Sequence, residues 1–353
     1  MKSPALKQIC YSSFGLFFHV AGKILIAILV AVVLLSLLLF FYRFAPPHID
    51  NVNGDTDYVW LPNYFHSKMT EGVAFGRYDA QGFNNISVVD NPDVLVLGSS
   101  HMESTEVMPN QTMSYLLSQL LKGRYSVYNK GISGHNLYKI CQYLPRNLEM
   151  YERHPKIVIL EISGVSVSYQ GIREIFNKNV KRVKSHGLGT IGMMQLVPVF
   201  RLLYLQISNG LLDLFFSKEK MDLLKKNTSQ SRNVDEKPYH QLCAYLQSME
   251  NKYGSQIIIV YHPTGELRKD GTILFKPSEE KDLFKKTAED NGITFVDMAD
   301  DFEKMYYESH HVAHGFVTGK LEYGHLNKYG HEAMAKTLYR TILNMEKDGE
   351  ICK

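Results

Sequence analysis

The chain has 353 residues, 45% of them apolar, and a formal net charge of +3. That apolar share excludes a disordered chain and suits one large α/β domain or two smaller ones. The positive balance comes from Lys2, Lys7, Lys23 and Arg43; the remainder is almost neutral, so nucleic acid and other polyanions are not the expected partners.

Residues 24–42, ILIAILVAVVLLSLLLFFY, carry no charge. At about 1.5 Å per residue a helix of this length crosses a hydrocarbon core roughly 30 Å thick. A cleaved signal peptide usually has an apolar run of only about 7–15 residues ending at a small-residue site; here Phe40, Phe41, Tyr42 and Arg43 follow. The expectation is a cytoplasmic tail over 1–23 and a transmembrane helix over 24–42. Lys2, Lys7 and Lys23 precede the span and Asp50, Asp55 and Asp57 follow it, which puts the amino terminus in the cytoplasm and the main domain outside, at a cell membrane.

Residues 44–90 mix Pro46, Pro47 and several glycines with polar and aromatic residues and show no sustained periodicity. They read as a linker and irregular lead-in. From 91 to 347 short apolar runs recur at DVLVLG, YSVYN, KIVILEI, SQIIIVY and ITFVDM, separated by segments with helical spacing. Alternating strand and helix predicts a mainly parallel five-stranded sheet covered on both faces, an α/β three-layer sandwich whose ligands bind beyond the carboxyl ends of the strands. The stretch from about 164 to 235 breaks the rhythm and reads as a helical insertion. Cys141 and Cys243 are the only cysteines well inside this domain; a disulfide and a pair of buried thiols both remain open.

The chemistry is concentrated in three segments. DVLVLGSSHMES displays Ser99 and Ser100 at a strand end, and a serine hydroxyl attacks at neutral pH only when a base takes its proton. EYGHLNKYGHEAM offers His325 as that base, with Glu322 three residues before it to orient the imidazole. VYNKGISGHN, after the second strand, contains Gly134. In this order and context the three segments resemble the SGNH/GDSL hydrolase superfamily, over roughly residues 90–345, and in particular membrane-anchored envelope members similar to the D-alanyl-lipoteichoic acid transfer proteins.

The resemblance implies a flavodoxin-like SGNH fold with Ser100 as nucleophile, His325 and Glu322 completing a triad, and the amides of Ser100 and Gly134 holding the oxyanion. Two departures stand out. The third block reads LEISGVSVS, so Val165 occupies the position of the usual oxyanion asparagine and Ser163, Asn136 or a backbone amide must substitute; one such donor is worth roughly 10²–10³ in turnover. The acid of the last block is glutamate rather than aspartate. Ser99, His101, Asn136, Ser163 and His262 are further pocket candidates. His310 and His314, four apart, could share a metal on one helix face, but no third ligand is evident, and neither a metal nor another cofactor is expected.

The implied function is an extracytoplasmic serine esterase or O-acyltransferase acting on an acylated cell-envelope glycan or lipid-linked sugar, with a membrane acyltransferase as a candidate partner. The alternative is a catalytically weak relative that binds or presents such a glycan.

Overall fold

The computed structural model describes residues 4–51, 53–177, 195–204, 206–207, 234–317 and 319–351. Most of the expected insertion, 178–194 and 208–233, lies outside the described residues. The chain begins with α1 (Pro4–Tyr42), of which Phe18–Tyr42 is apolar enough to cross a membrane or serve as a signal sequence. Then come β1 (Arg43–Phe44), β2 (His48–Asp50), β3 (Tyr58–Trp60), β4 (Phe65–Lys68) and β5 (Ala74–Arg77). The main domain follows with β6 (Val94–Leu97), α2 (Ser100–Glu103), α3 (Met113–Leu120), β7 (Val127–Asn129), α4 (Leu137–Glu149), β8 (Ile157–Ile162) and α5 (Tyr169–Ile175). It ends with α6 (Lys237–Tyr253), β9 (Gln256–Tyr261), β10 (Glu266–Leu267), β11 (Ile273–Leu274), α7 (Glu279–Asp290), β12 (Thr294–Asp297), α8 (Ala299–Ser309) and α9 (Lys328–Lys347).

The five expected strands form one parallel sheet in the order β12-β9-β8-β6-β7. Because side chains alternate along a strand, Leu95 and Leu97 enter one core while Val94 and Val96 enter the other. The first core packs Leu144 of α4, Leu242 of α6 and Phe284 of α7 against the sheet; the second packs Leu117 of α3, Phe302 of α8 and Leu338 of α9. This is the doubly wound three-layer sandwich that the apolar runs predict, with both faces of each strand buried. Each fully buried aliphatic side chain contributes about 1.5–3 kcal/mol. The chain leaves β6 toward β7 on one side and returns to β8 on the other, so the crevice of this fold opens at the carboxyl ends of β6 and β8. Cys141 and Cys243 are buried free thiols in the first core.

Residues 43–90 are not a loose lead-in. β2 pairs with β3, and β1, β4 and β5 form a second antiparallel sheet. Buried polar side chains fix this unit to the domain: Asp79 accepts from the Gln81 and Phe83 amides and from the Tyr128 hydroxyl, Asn84 donates to the Glu103 carbonyl, and Asp55 pairs with Lys130, both side chains only 1% exposed. Strands of two to four residues leave no alternation to read, which is why the sequence conceals them.

Candidate active site

Ser100 stands at the carboxyl end of β6, where the chain turns into α2. Gly98 permits the turn: a Cβ there would lie 2.4 Å from Met102 Cγ and 2.6 Å from Glu161 Oε2. Ser99 caps α2 by accepting from the His101 amide, and its own amide donates to Glu161 Oε2 at 2.6 Å. The backbone just before Ser100 is thereby tied to β8 and the hydroxyl of Ser100 faces the turn that precedes α9. There it donates to Nε2 of His325 at 2.9 Å.

The carboxylate on the far side of that imidazole is Glu71. His325 Nδ1 donates to Glu71 Oε2 at 2.8 Å, and the His325 amide donates to Glu71 Oε1 at 2.8 Å. Glu106 Oε1 lies 3.5 Å from the same Nδ1 and pairs with Lys68. Burial alone would raise the Glu71 carboxyl, but the His325 amide and imidazole and the charge of Lys68 outweigh it and hold the pKa below its ordinary value. An ionised Glu71 fixes the proton on Nδ1 and leaves the Nε2 lone pair for the Ser100 hydroxyl. Glycine is needed beside it: a Cβ at Gly324 would come within 2.2 Å of Glu71 Oε1, and one at Gly72 within 2.0 Å of the Glu106 carbonyl.

Glu322, the acid expected from its spacing to His325, does not reach that imidazole. It is in the left-handed region (φ 53°) and its buried carboxylate accepts from the Ala313 amide at 2.9 Å and the Gly265 amide at 2.8 Å, facing His314 Nδ1 at 3.6 Å. Residues 322–325 form a turn through Gly324 (φ 88°), not one face of a helix, so an acid three residues before His325 points away from it. Glu71 was illegible because it lies 254 residues from His325 in a segment without periodicity.

The other candidates separate into layers. His262 is not a pocket residue but is fully buried: its Nε2 donates to Glu161 Oε1 at 2.6 Å and its Nδ1 accepts from His314 Nε2 at 3.1 Å. Glu161, His262, His314 and Glu322 thus form a continuous buried chain behind Ser99. Burial would raise Glu161, yet the His262 imidazole and the Ser99 amide bring it down to about 2. His101 accepts from the Leu326 amide through Nδ1, its ring 5.1 Å from that of His325; burial and the neighbouring His262 push it down to about 2, so it is neutral. Ser99 turns its hydroxyl to Glu161, and Asn136 caps α4 by accepting from the Lys139 amide. Ser163 is exposed, and Val165 is buried in the first core, where it offers no side-chain donor.

Gly134 (φ 84°) is exposed, with open space around the position of a Cβ. Its loop is fastened to the Ser100 turn, because the Ile132 amide donates to the Gly98 carbonyl at 3.0 Å and the Ser133 amide to Glu103 Oε2 at 2.7 Å. Among the described residues neither the Ser100 nor the Gly134 amide has a hydrogen-bond acceptor.

Among the described residues two groups bring three ligand atoms within 4.8 Å of one another: His101 with His262 and His314, and His325 with Glu71 and Glu106. In the first, the Nδ1 lone pair of His101 is committed to the Leu326 amide, so the neutral ring carries its proton on Nε2 and has no lone pair left for a cation. In the second, both imidazole nitrogens are engaged by Ser100 and Glu71. His310, the C-cap of α8, and His314, in the buried chain, do not share a helix face.

No family model and no curated protein matches the chain. Solved structures similar to it include an α/β hydrolase enzyme from the metagenome of Lake Arreo, Spain, at 13% identity over 70% of this chain and 93% of that one, TM-score 0.37. An acetyl xylan esterase is 14% identical over 70% of this chain and 99% of that one, TM-score 0.36. A catalytic mutant of an acetylxylan esterase from Geobacillus stearothermophilus is 16% identical over 72% of this chain and 95% of that one, TM-score 0.37. At these identities and scores the likenesses assign neither activity nor residue roles.

Proposed function

We propose that the protein is a membrane-anchored serine esterase or O-acyltransferase of SGNH type, with Ser100, His325 and Glu71 as its catalytic triad. The observation that carries this reading is the pair of hydrogen bonds from Ser100 Oγ to His325 Nε2 and from His325 Nδ1 to Glu71. His325 takes the Ser100 proton as Oγ attacks an ester carbonyl, and the Ser100 and Gly134 amides stabilise the oxyanion. Collapse of the tetrahedral intermediate breaks the bond to the alcohol, which leaves with the proton from His325. The acyl group stays on Ser100 until water or a second hydroxyl attacks with His325 again as base.

α1 acts as the anchor in this reading, with its basic end in the cytoplasm and the catalytic domain outside. An acylated envelope glycan or a lipid-linked sugar, presented alone or by a membrane acyltransferase, is then the substrate within reach. A transfer role rests on the Gly98-Ser99-Ser100 form of the first block alone, the feature by which the sequence resembles the D-alanyl-lipoteichoic acid transfer proteins. The second reading, binding and presentation without turnover, is favoured by Val165, which withdraws the side-chain donor expected at the oxyanion.

The deciding experiment treats the full chain in detergent with a fluorophosphonate and with an aryl acetate. Covalent labelling at Ser100 and turnover, both lost in Ser100→Ala, are the expected results. Binding of acylated glycan by a wild-type protein that neither labels nor turns over would leave the second reading in place.

A further inference from the structure

The hairpin that carries Glu71 is also the part of the domain joined to the long apolar helix. α1 runs directly into β1, whose Arg43 and Phe44 pair with Lys68 and Ser67 of β4. The Met69 amide donates to the Tyr42 carbonyl at 2.9 Å, and the Ser67 hydroxyl donates to the Phe40 carbonyl. The last turn of α1 and the start of the Glu71 loop are therefore one hydrogen-bonded unit.

Alternation puts Val73, Phe75 and Arg77 on one face of the hairpin, and Phe65, which pairs directly with Arg77, on the same face. Phe65 is 54%, Val73 55% and Phe75 38% exposed. The Arg77 guanidinium lies over the Phe65 ring, and the Phe75 ring is 6.4 Å from that of Phe41 in α1. Exposed hairpins in water are blunted by charges. This one presents aromatic and aliphatic groups with a single arginine, the composition that suits the headgroup level of a bilayer. Val73 also lines an open cavity of about 530 Å³ with Met108, Phe316, Val317, Leu321 and Glu106, the last 3.5 Å from His325 Nδ1.

We propose that the β4–β5 hairpin is a membrane-contact element whose Phe65, Val73 and Phe75 face lies in the lipid headgroup layer, so that Ser100 receives esters held at the bilayer surface. This rests on the reading of α1 as a membrane span. Lipid is the occupant because the face is the direct continuation of the apolar helix: a bilayer that surrounds Phe41 borders Phe75. The substrate class that follows is an acyl ester whose lipid part remains in the membrane while its ester reaches Ser100.

The test uses the full chain in liposomes of phosphatidylcholine and phosphatidylglycerol, with and without brominated acyl chains. Phe65→Trp and Phe75→Trp are made separately; the wild type supplies a buried background in its single tryptophan, Trp60. Loss of most of the added emission in brominated liposomes, with little access to aqueous iodide, is the expected result. Emission fully accessible to iodide and untouched by bromine overturns the proposal, and so does emission shielded from both, which would mean that protein covers the face. Fluorophosphonate labelling of Ser100 in the same samples judges the esterase reading independently of the quenching.

Discussion

The domain contains two imidazole–carboxylate arrangements on either side of the His101 ring, which lies 5.1 Å from that of His325 and 4.4 Å from that of His262, and they differ in what surrounds them. In one, Glu71, His325 and Ser100 are linked by bonds of 2.8 and 2.9 Å, and the His325 and Glu71 side chains are 25% and 27% exposed. In the other, Glu161, His262, His314 and Glu322 have side chains no more than 2% exposed and end on backbone amides at both extremities. The residue types are the same. What distinguishes them is the partner of the terminal hydroxyl: Ser100 is bonded to an imidazole nitrogen that can take its proton, whereas Ser99, at the end of the second, is bonded to the Glu161 carboxylate. The second fixes the strand ends from which the first is displayed.

The comparison breaks at once if Ser100 is dispensable. Ser100→Ala and His325→Ala should each lower kcat/KM for an aryl acetate by on the order of 10⁴-fold or more, as removing a nucleophile or its base does when the remaining site only binds. Unchanged turnover in either variant would move the reaction elsewhere in the molecule.

Next in size is the choice of acid. Glu71→Gln retains an acceptor for the His325 amide but removes the charge that stabilises the imidazolium, and should cost about 10²–10⁴-fold in kcat with little change in KM. Glu322→Gln should leave kcat within a few-fold and act on stability. Measuring both variants side by side, with thermal unfolding as a control, decides which carboxylate serves His325. The opposite ranking would restore the assignment drawn from sequence spacing.

That pair of variants also marks where sequence reading stops. The apolar runs at 94–97, 157–162 and 256–261 are long and β-branched enough to announce buried parallel strands, and the loops after them must then share one rim. Ser100 follows from that logic and His325 from the resemblance of the last block, and the structure brings the two together. Glu71 does not follow, since β4 and β5 have only four residues each and the loop between them carries no turn signature linking it to residue 325. Nor does the buried chain: His262 sits at the same sheet rim as Ser100, but the periodicity of a strand tells which face a residue takes, not whether a further layer covers it.

His262→Leu leaves the Glu161 carboxylate buried with one hydrogen-bond partner fewer, and a buried polar group left without its partner costs about 1–3 kcal/mol, more when it is charged. The expected outcome is a markedly lower unfolding temperature, with near-normal turnover per folded molecule below it. A variant of full stability but lost kcat would instead place the buried chain in the chemistry and dissolve the distinction between the two arrangements.

The smallest effect concerns acid. His331 is fully buried on α9 and accepts from the Met113 amide through Nδ1 at 3.2 Å; burial and the nearby His262 push its pKa down to about 3. His66, also buried, is pushed down to about 4. In the unfolded chain these rings take up protons below about 6.5, whereas in the folded protein they remain neutral, so the unfolded state binds more protons and stability falls as pH drops below that value. Each such ring adds a slope of up to about 1.4 kcal/mol per pH unit, continuing for His331 down to its folded value near 3. Glu161 has the same sign in a lower window, from its unfolded value of 4.5 to about 2. Glu250, which burial pushes up to about 7, works in the opposite sense, but the lowered rings of His48, His66, His101, His135, His314 and His331 outnumber it, so urea unfolding of the full chain in detergent between pH 7.5 and 5 should show declining stability. His331→Asn, which offers the Met113 amide another acceptor, should be less stable at pH 7.5 yet lose about one proton of that dependence; an unchanged slope would mean that His331 is protonated in the folded state and that its burial is not what stabilises it.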